Sequence, residues 1–138
     1  MMNIKGVLFD LDGTLLDTSE LIVESFRYTF KQHCNYDISV SEVHDFFGKS
    51  LRLAMETLGK DKADELIDTY REHNAKYHDE KIAIFPEVAE TIKTMYDNGI
   101  KLAVVTSKTK KTALRGLKLF GLESYFSTVI GINECINP

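Results

Sequence analysis

Two aspartates and a threonine are the residues whose types and spacing first suggest chemistry in this sequence. In "VLFDLDGTLLDTSE", Val7 to Glu20, an apolar run ends abruptly in Asp10-Leu11-Asp12-Gly13-Thr14. Side chains at i and i+2 of an extended segment point the same way, so both carboxylates can face one small volume. Two like charges held there call for a cation, a shared proton, or both. Magnesium suits such a place, because it takes hard oxygen ligands from one or two carboxylates and completes its shell with phosphate and water. Gly13 lets the backbone turn close to a ligand, and the amides beyond Asp10 can cradle an anion. A second apolar run ends in "VVTSK", where Thr106 adds a hydroxyl and the amides of Ser107 and Lys108 stand at a helix start. Carboxylates, a cation and a phosphate-sized nest together suggest phosphoryl transfer.

Most Asp-x-Asp pairs are turns or solvated surface, so the pair alone decides little. Its context decides more. It follows an apolar strand, precedes Gly-Thr, and has a polar cluster at a second strand end to match.

The elements that must position these residues follow from periodicity. Ile4 to Phe9 is short and apolar, with Gly6 near its start and Gly13 beyond its end; it predicts a strand buried on both faces. "DTSELIVESFRYTFKQH" carries Leu21, Ile22, Phe26 and Phe30 at helical spacing, an ordinary core stripe, with Asp17 and Glu20 placed as a capping box. "SVSEVHDFFGKS" offers a second cap in Ser39 with Glu42 and a stop at Gly48. A third helix is predicted over 51–58, stopped by Gly59. A fourth, "DKADELIDTYREHNAKYH", sets Ala63, Leu66, Ile67, Tyr70 and Tyr77 along one stripe.

The texture then changes. Pro86 and Gly99 bracket a helix in "IFPEVAETIKTMYDNG". Ile100 to Val105 reads as a strand, "KTKKTALRGLKLFG" as an amphipathic helix stopped by Gly121, and "STVIGINEC" as a further short strand. Helix, strand, helix, strand is how a parallel α/β sheet is written. The fold class is therefore α/β, a Rossmann-like parallel core of residues 1–16 and 84–138, with residues 17–83 a four-helix insert after the first strand. In a parallel sheet all carboxyl strand ends share one edge, where ligands of open α/β sheets bind. The insert leaves and re-enters near that edge, which predicts a lid hinged near Asp17 and residues 82–85.

Composition narrows the partners. A formal charge of −4, with 43% hydrophobic and 28% charged residues, describes an ordinary globular chain and recommends neither nucleic acid nor an anionic membrane. Cys34 and Cys135 match no zinc spacing and are too few for a disulfide scaffold; two buried free thiols in a reducing cytoplasm are expected. The N-terminus carries no signal peptide pattern, and no run approaches membrane-spanning length. His33, His44, His73 and His78 include no i,i+4 pair, so a zinc site is not expected. The "KTKK" run at 108–111 reads as a solvated helix start, with a phosphate-attracting edge as the alternative.

"DLDGT" after an apolar strand, with "VVTSK" at a later strand end, resembles the haloacid dehalogenase superfamily of aspartyl-phosphate phosphohydrolases, and the helical insert resembles that superfamily's cap. Along most of the chain, notably "TYREHNAKYHDE" and "LRGLKLFGLESYF", the sequence is similar to phosphoglycolate-phosphatase-like enzymes. Within these it is most similar to bacterial pyrophosphatases that remove the diphosphate released when the carrier protein HPr is dephosphorylated. The resemblance implies Asp10 as the nucleophile and Asp12 as the proton donor and acceptor. It implies magnesium held by an Asp10 oxygen and the Asp12 carbonyl. Phosphate would be bound by Thr106 and Lys108 with the amides of Leu11 and Ser107, and Gly48 and Lys49 would touch substrate from the cap. The superfamily also uses a later lysine and a later acidic pair, and neither follows before the sequence ends at "NECINP". That departure implies a truncated product or an impaired fragment, and an open edge on the first strand through which copies could associate.

The implied activity is magnesium-dependent hydrolysis of pyrophosphate, with phosphoglycolate or another small phosphomonoester as the alternative. A phospho-accepting signalling module also combines strand-end aspartates, magnesium, Thr or Ser, and Lys. Order separates them: here the acceptor lies on the first strand and a helical insert follows. An inactive remnant is the third reading.

Overall fold

The apolar runs become strands that meet in parallel. The computed structural model describes residues 3–132; Cys135 and the end of the last strand candidate lie outside the described residues, and Cys34 is exposed rather than buried as expected, because it ends a helix at the surface. In chain order, β1 (Gly6–Phe9) and β2 (Leu16–Asp17) precede helices α1 (Ser19–Cys34), α2 (Val40–His44), α3 (Leu51–Gly59) and α4 (Ala63–Lys81). Then come β3 (Ala83–Ile84), α5 (Val88–Asp97), β4 (Lys101–Val105), α6 (Lys110–Leu119) and β5 (Phe126–Ile130). The chain divides into two compact units, one made of the residues up to Asp17 with those from Ala83 on, the other of Thr18–Ile82.

The first unit is the α/β one. Its main sheet has the order β1-β4-β5 and both pairings are parallel, as the sequence pattern implies. Register sets Phe9 beside Val104 and Val104 beside Val129. Asp10 and Thr106 therefore emerge at the same edge, each just past its strand. α5 packs on β4, and α6 on β5, burying Ile92, Leu102, Val104, Ala113 and Leu117.

β1 differs from expectation. It begins at Gly6 rather than Ile4, and it is not buried on both faces: Val7 and Phe9 are half-buried, while Leu8 is 75% exposed. Among the described residues β1 has one strand neighbour, β4, and the helix packing falls mainly on β4 and β5. An apolar run signals a strand without saying how many sides will be covered.

Two helix starts also move. The N-cap position of α1 falls on Thr18 rather than Asp17, because Leu16–Asp17 pairs antiparallel with Ala83–Ile84 and holds Asp17 in a strand. α5 starts at Val88 rather than at Pro86, after a turn in which the Val88 amide donates to the Phe85 carbonyl.

The helical unit keeps most of its predicted pattern. Ser39 and Glu42 form the complete capping box of α2, and Ser50 caps α3 by accepting the Leu53 amide. Phe26, Phe30, Ile38, Val43, Met55, Leu66 and Ile67 close one core, with Tyr70 packed edge-on to Phe26. Among the described residues no helix is long and apolar enough to cross a membrane.

Candidate active site

The turn after β1 is built on one carbonyl. Leu11 is buried, and its carbonyl accepts the amides of Thr14, Leu15 and Leu16 at 3.0–3.3 Å. Gly13 sits at φ 77°, and its amide donates to the Leu16 carbonyl at 2.9 Å. A side chain at that φ would strain the backbone, so glycine is what permits the loop to fold back on itself. The result holds residues 10–16 as a compact turn between β1 and β2.

Asp10 is exposed, and its Oδ1 accepts the Leu11 amide at 2.8 Å. That bond orients the carboxylate. Asp12 is half-buried, and its Oδ1 lies 3.3 Å from Lys108 Nζ, with the two side chains 20% and 17% exposed. Thr106 is buried at the end of β4, where its backbone amide donates to the Ile130 carbonyl. The Lys108 amide donates to Thr106 Oγ1 at 3.2 Å. Asp12, Lys108 and Thr106 are thus joined in sequence across the ends of β1 and β4. Ser107 is half-buried in the same turn. Lys110 and Lys111 are exposed at the start of α6, whose N-cap is Thr109.

Gly48 and Lys49 belong to the helical unit, in the turn following α2. Both are exposed, and the Lys49 ammonium lies 5.5 Å from the Phe46 ring centroid.

Sequence reasoning missed two features. The Lys108–Asp12 pair joins residues remote in sequence, and only strand pairing brings them together. Gly131 is the other: a Cβ there would collide with the Lys110 backbone nitrogen and come within 2.8 Å of the Lys108 carbonyl oxygen. Its signal, a glycine straight after an apolar strand, was visible but had no partner to give it meaning. Beside Phe9 and Thr14 there is also a shallow pocket of about 200 Å³, lined in part by Pro86, Glu87 and Val88.

Among the described residues no three His, Cys, Asp or Glu side chains gather to hold an ion. The oxygen donors present are the Asp10 carboxylate and the carbonyl of Asp12, which fit magnesium in kind and fill part of an octahedral shell. The histidines go elsewhere: His73 Nδ1 lies 2.9 Å from Ser25 Oγ, His33 Nε2 lies 2.6 Å from Thr69 Oγ1, and His78 is buried beside Asp79.

Parallel pairing, sheet order and strand-end aspartates define an α/β protein of the kind that meets its ligands at the carboxyl edge of the sheet. Residues 7–138 match the model of the haloacid dehalogenase-like hydrolases, and the chain belongs to that family. It is 46% identical over 133 residues to a provisionally named pyrophosphatase PpaX of Caldanaerobacter subterraneus, covering 96% of this chain and 60% of that protein. To pyrophosphatase PpaX of Halalkalibacterium halodurans it is 39% identical over 136 residues, covering 99% of this chain and 63% of the relative. A haloacid dehalogenase-like family hydrolase of Streptococcus pneumoniae superposes with a TM-score of 0.84 at 28% identity, over 93% of this chain and 61% of that one. The chain thus spans less than two thirds of the length of these relatives.

Proposed function

We propose that this chain carries the nucleophile and the phosphate-binding groups of a magnesium-dependent phosphohydrolase acting through an aspartyl phosphate, with inorganic pyrophosphate as substrate. The observation that supports it best is the placement of Asp10. It is an exposed carboxylate at the end of β1, oriented by the Leu11 amide, and Thr106 follows the adjacent parallel strand. The names of the PpaX relatives support pyrophosphate. A small phosphomonoester such as phosphoglycolate is the alternative substrate, carried by sequence resemblance.

In this reading a carboxylate oxygen of Asp10 attacks phosphorus and forms an acyl phosphate, and the bond to the leaving oxygen breaks. Asp12 gives that oxygen its proton, then takes one from the water that hydrolyses the acyl phosphate. Dividing one displacement into two covalent steps lowers each barrier. Thr106 Oγ1 and the Ser107 amide hold the phosphoryl oxygens, and the Leu11 amide joins them as it leaves Asp10 Oδ1; donors held by the fold need little reorganisation as charge moves. Magnesium, when bound by the Asp10 carboxylate and the Asp12 carbonyl, supplies positive charge against the spreading negative charge of the transferring group. In the helical unit, which we read as the cap, Gly48 and Lys49 are the proposed substrate contacts. We also assign the protein to the cytoplasm.

Asp10→Asn keeps the size of the side chain and removes the attacking oxyanion. Hydrolysis of pyrophosphate with magnesium present should fall by several orders of magnitude, with the circular dichroism spectrum unchanged. Retention of more than about a tenth of the activity would remove Asp10 from this role.

A further inference from the structure

Lys108 stands where a phosphate ligand is expected, yet its surroundings point it at a carboxylate. Its Nζ lies 3.3 Å from Asp12 Oδ1, and both side chains are more than three-quarters covered. Exposed ion pairs contribute little because water screens them and both side chains lose freedom in forming them. This pair is shielded, and the lysine is fixed at its base. Its amide donates to Thr106 Oγ1, and its carbonyl accepts the Ile132 amide at 2.8 Å. Gly131 lies so close behind the turn that no Cβ fits there. The 108–110 backbone is therefore clamped between the end of β4 and the residues after β5. A lysine held this way has fewer directions for its stem than one on a free surface, and the stem reaches Asp12.

We propose that Lys108 is a positioning residue, acting on the reaction through Asp12 rather than as a ligand of the phosphate. Its ammonium fixes the direction of the Asp12 carboxyl group and, once Asp12 has given up its proton, offsets the repulsion between Asp12 and Asp10. The turn clamped by Gly131 and Ile132 keeps the ammonium there. This rests on the proposed roles of Asp10 and Asp12, so its test has one arm that depends on turnover and one that does not.

The kinetic arm uses Lys108→Met and Lys108→Arg in the full chain, with pyrophosphate as substrate and inorganic phosphate as inhibitor. A misplaced proton-transfer group lowers kcat by about 10- to 100-fold while leaving KM and the inhibition constant of phosphate within about twofold. Arg, which keeps the charge, should recover most of the loss. In an Asp12→Asn background the Met change should cost nothing further, because its effect passes through Asp12. A rise in KM and in the phosphate inhibition constant with kcat preserved would make Lys108 a phosphate ligand and overturn the proposal.

The second arm needs no activity. With carboxyl-labelled aspartate, the Asp12 side-chain carbon resonance should move by more than its linewidth in Lys108→Met and stay near its place in Lys108→Arg. An unmoved resonance in both would overturn the proposal whether or not pyrophosphate is the substrate. Lys108→Gln serves as a second neutral variant. Failure of both neutral variants to fold would assign Lys108 to stability alone and overturn the proposal too.

Discussion

The helical unit and the α/β unit solve opposite problems with similar materials. In the helical unit the buried apolar residues close on one another and the polar groups inside are spoken for, although Val40, Phe47 and Leu53 stay exposed on its surface. Ser25 pairs with His73, Thr29 with the Ser25 carbonyl, and His33 with Thr69. In the α/β unit the sheet leaves Leu8 and part of Val105 exposed, and the carboxylate of Asp10 faces solvent at a strand end. One unit is arranged to satisfy itself. The other sets an exposed carboxylate, Asp10, at the end of a strand whose Leu8 is left uncovered. Groups that a fold leaves available, on a rigid frame, are where binding and chemistry are done.

The sharpest way to test this contrast is to damage the self-satisfied unit alone. Leu66 is fully buried in its core. Leu66→Ala should cost about 2–5 kcal/mol, the range for deleting such a side chain where the site collapses only in part. Amide exchange within 19–81 should quicken while β4 keeps its protection. Equal quickening in both units would mean that they unfold as one and would break the comparison.

A smaller effect comes from His73. Burial holds its imidazole below the ordinary value of 6.5, with the charge of Glu24 opposing and that of Lys76 assisting. Its Nδ1 lies 2.9 Å from Ser25 Oγ, and the rings of Tyr28 and Tyr77 pack against it. A depressed imidazole means that the unfolded chain takes up the proton first as pH falls. The contribution of His73 is thus fully present above about 6.5 and is lost progressively below it. Denaturant midpoints of the helical unit should decline from pH 7.5 toward 5.5 (on the order of the range set by that ionisation), and His73→Gln should flatten the decline. An unchanged slope in the variant would place the titration elsewhere.

The smallest effect on stability tests the other side of the contrast. Leu8 is 75% exposed on a strand with one neighbour among the described residues. Leu8→Lys should change stability by no more than about 0.5 kcal/mol, as surface substitutions do. It should nevertheless reduce self-association of the chain in light scattering, since a lysine on an open strand edge discourages pairing. The same mass distribution in both forms would show that copies do not meet at this edge.

The sequence made the helical unit legible almost throughout, because each helix carries its period and its stops within a short span. Ser39 with Glu42 could be read as a capping box three residues apart, and it is one. Asp17 with Glu20 made the same local pattern, yet the N-cap falls on Thr18, because β3, far along the chain, takes Asp17 into a strand pair. The strands were legible as apolar runs, and their parallel order as an alternation with helices. What could not be read was coverage: nothing local to Leu8 says that β4 is its strand's one neighbour among the described residues. At the candidate site the residue types were legible, while the link from Asp12 through Lys108 to Thr106 needed the register of β1 with β4. Gly131 acquires its meaning only from the turn it touches.

The central claim is that Asp10 becomes covalently phosphorylated. The direct measurement is to mix the protein with labelled pyrophosphate and magnesium, quench in acid within a turnover, and locate the label by peptide mass spectrometry. One added phosphoryl group is expected on the peptide that contains Asp10, absent from the Asp10→Asn protein. Turnover without label on that peptide, or label on another residue, would contradict it.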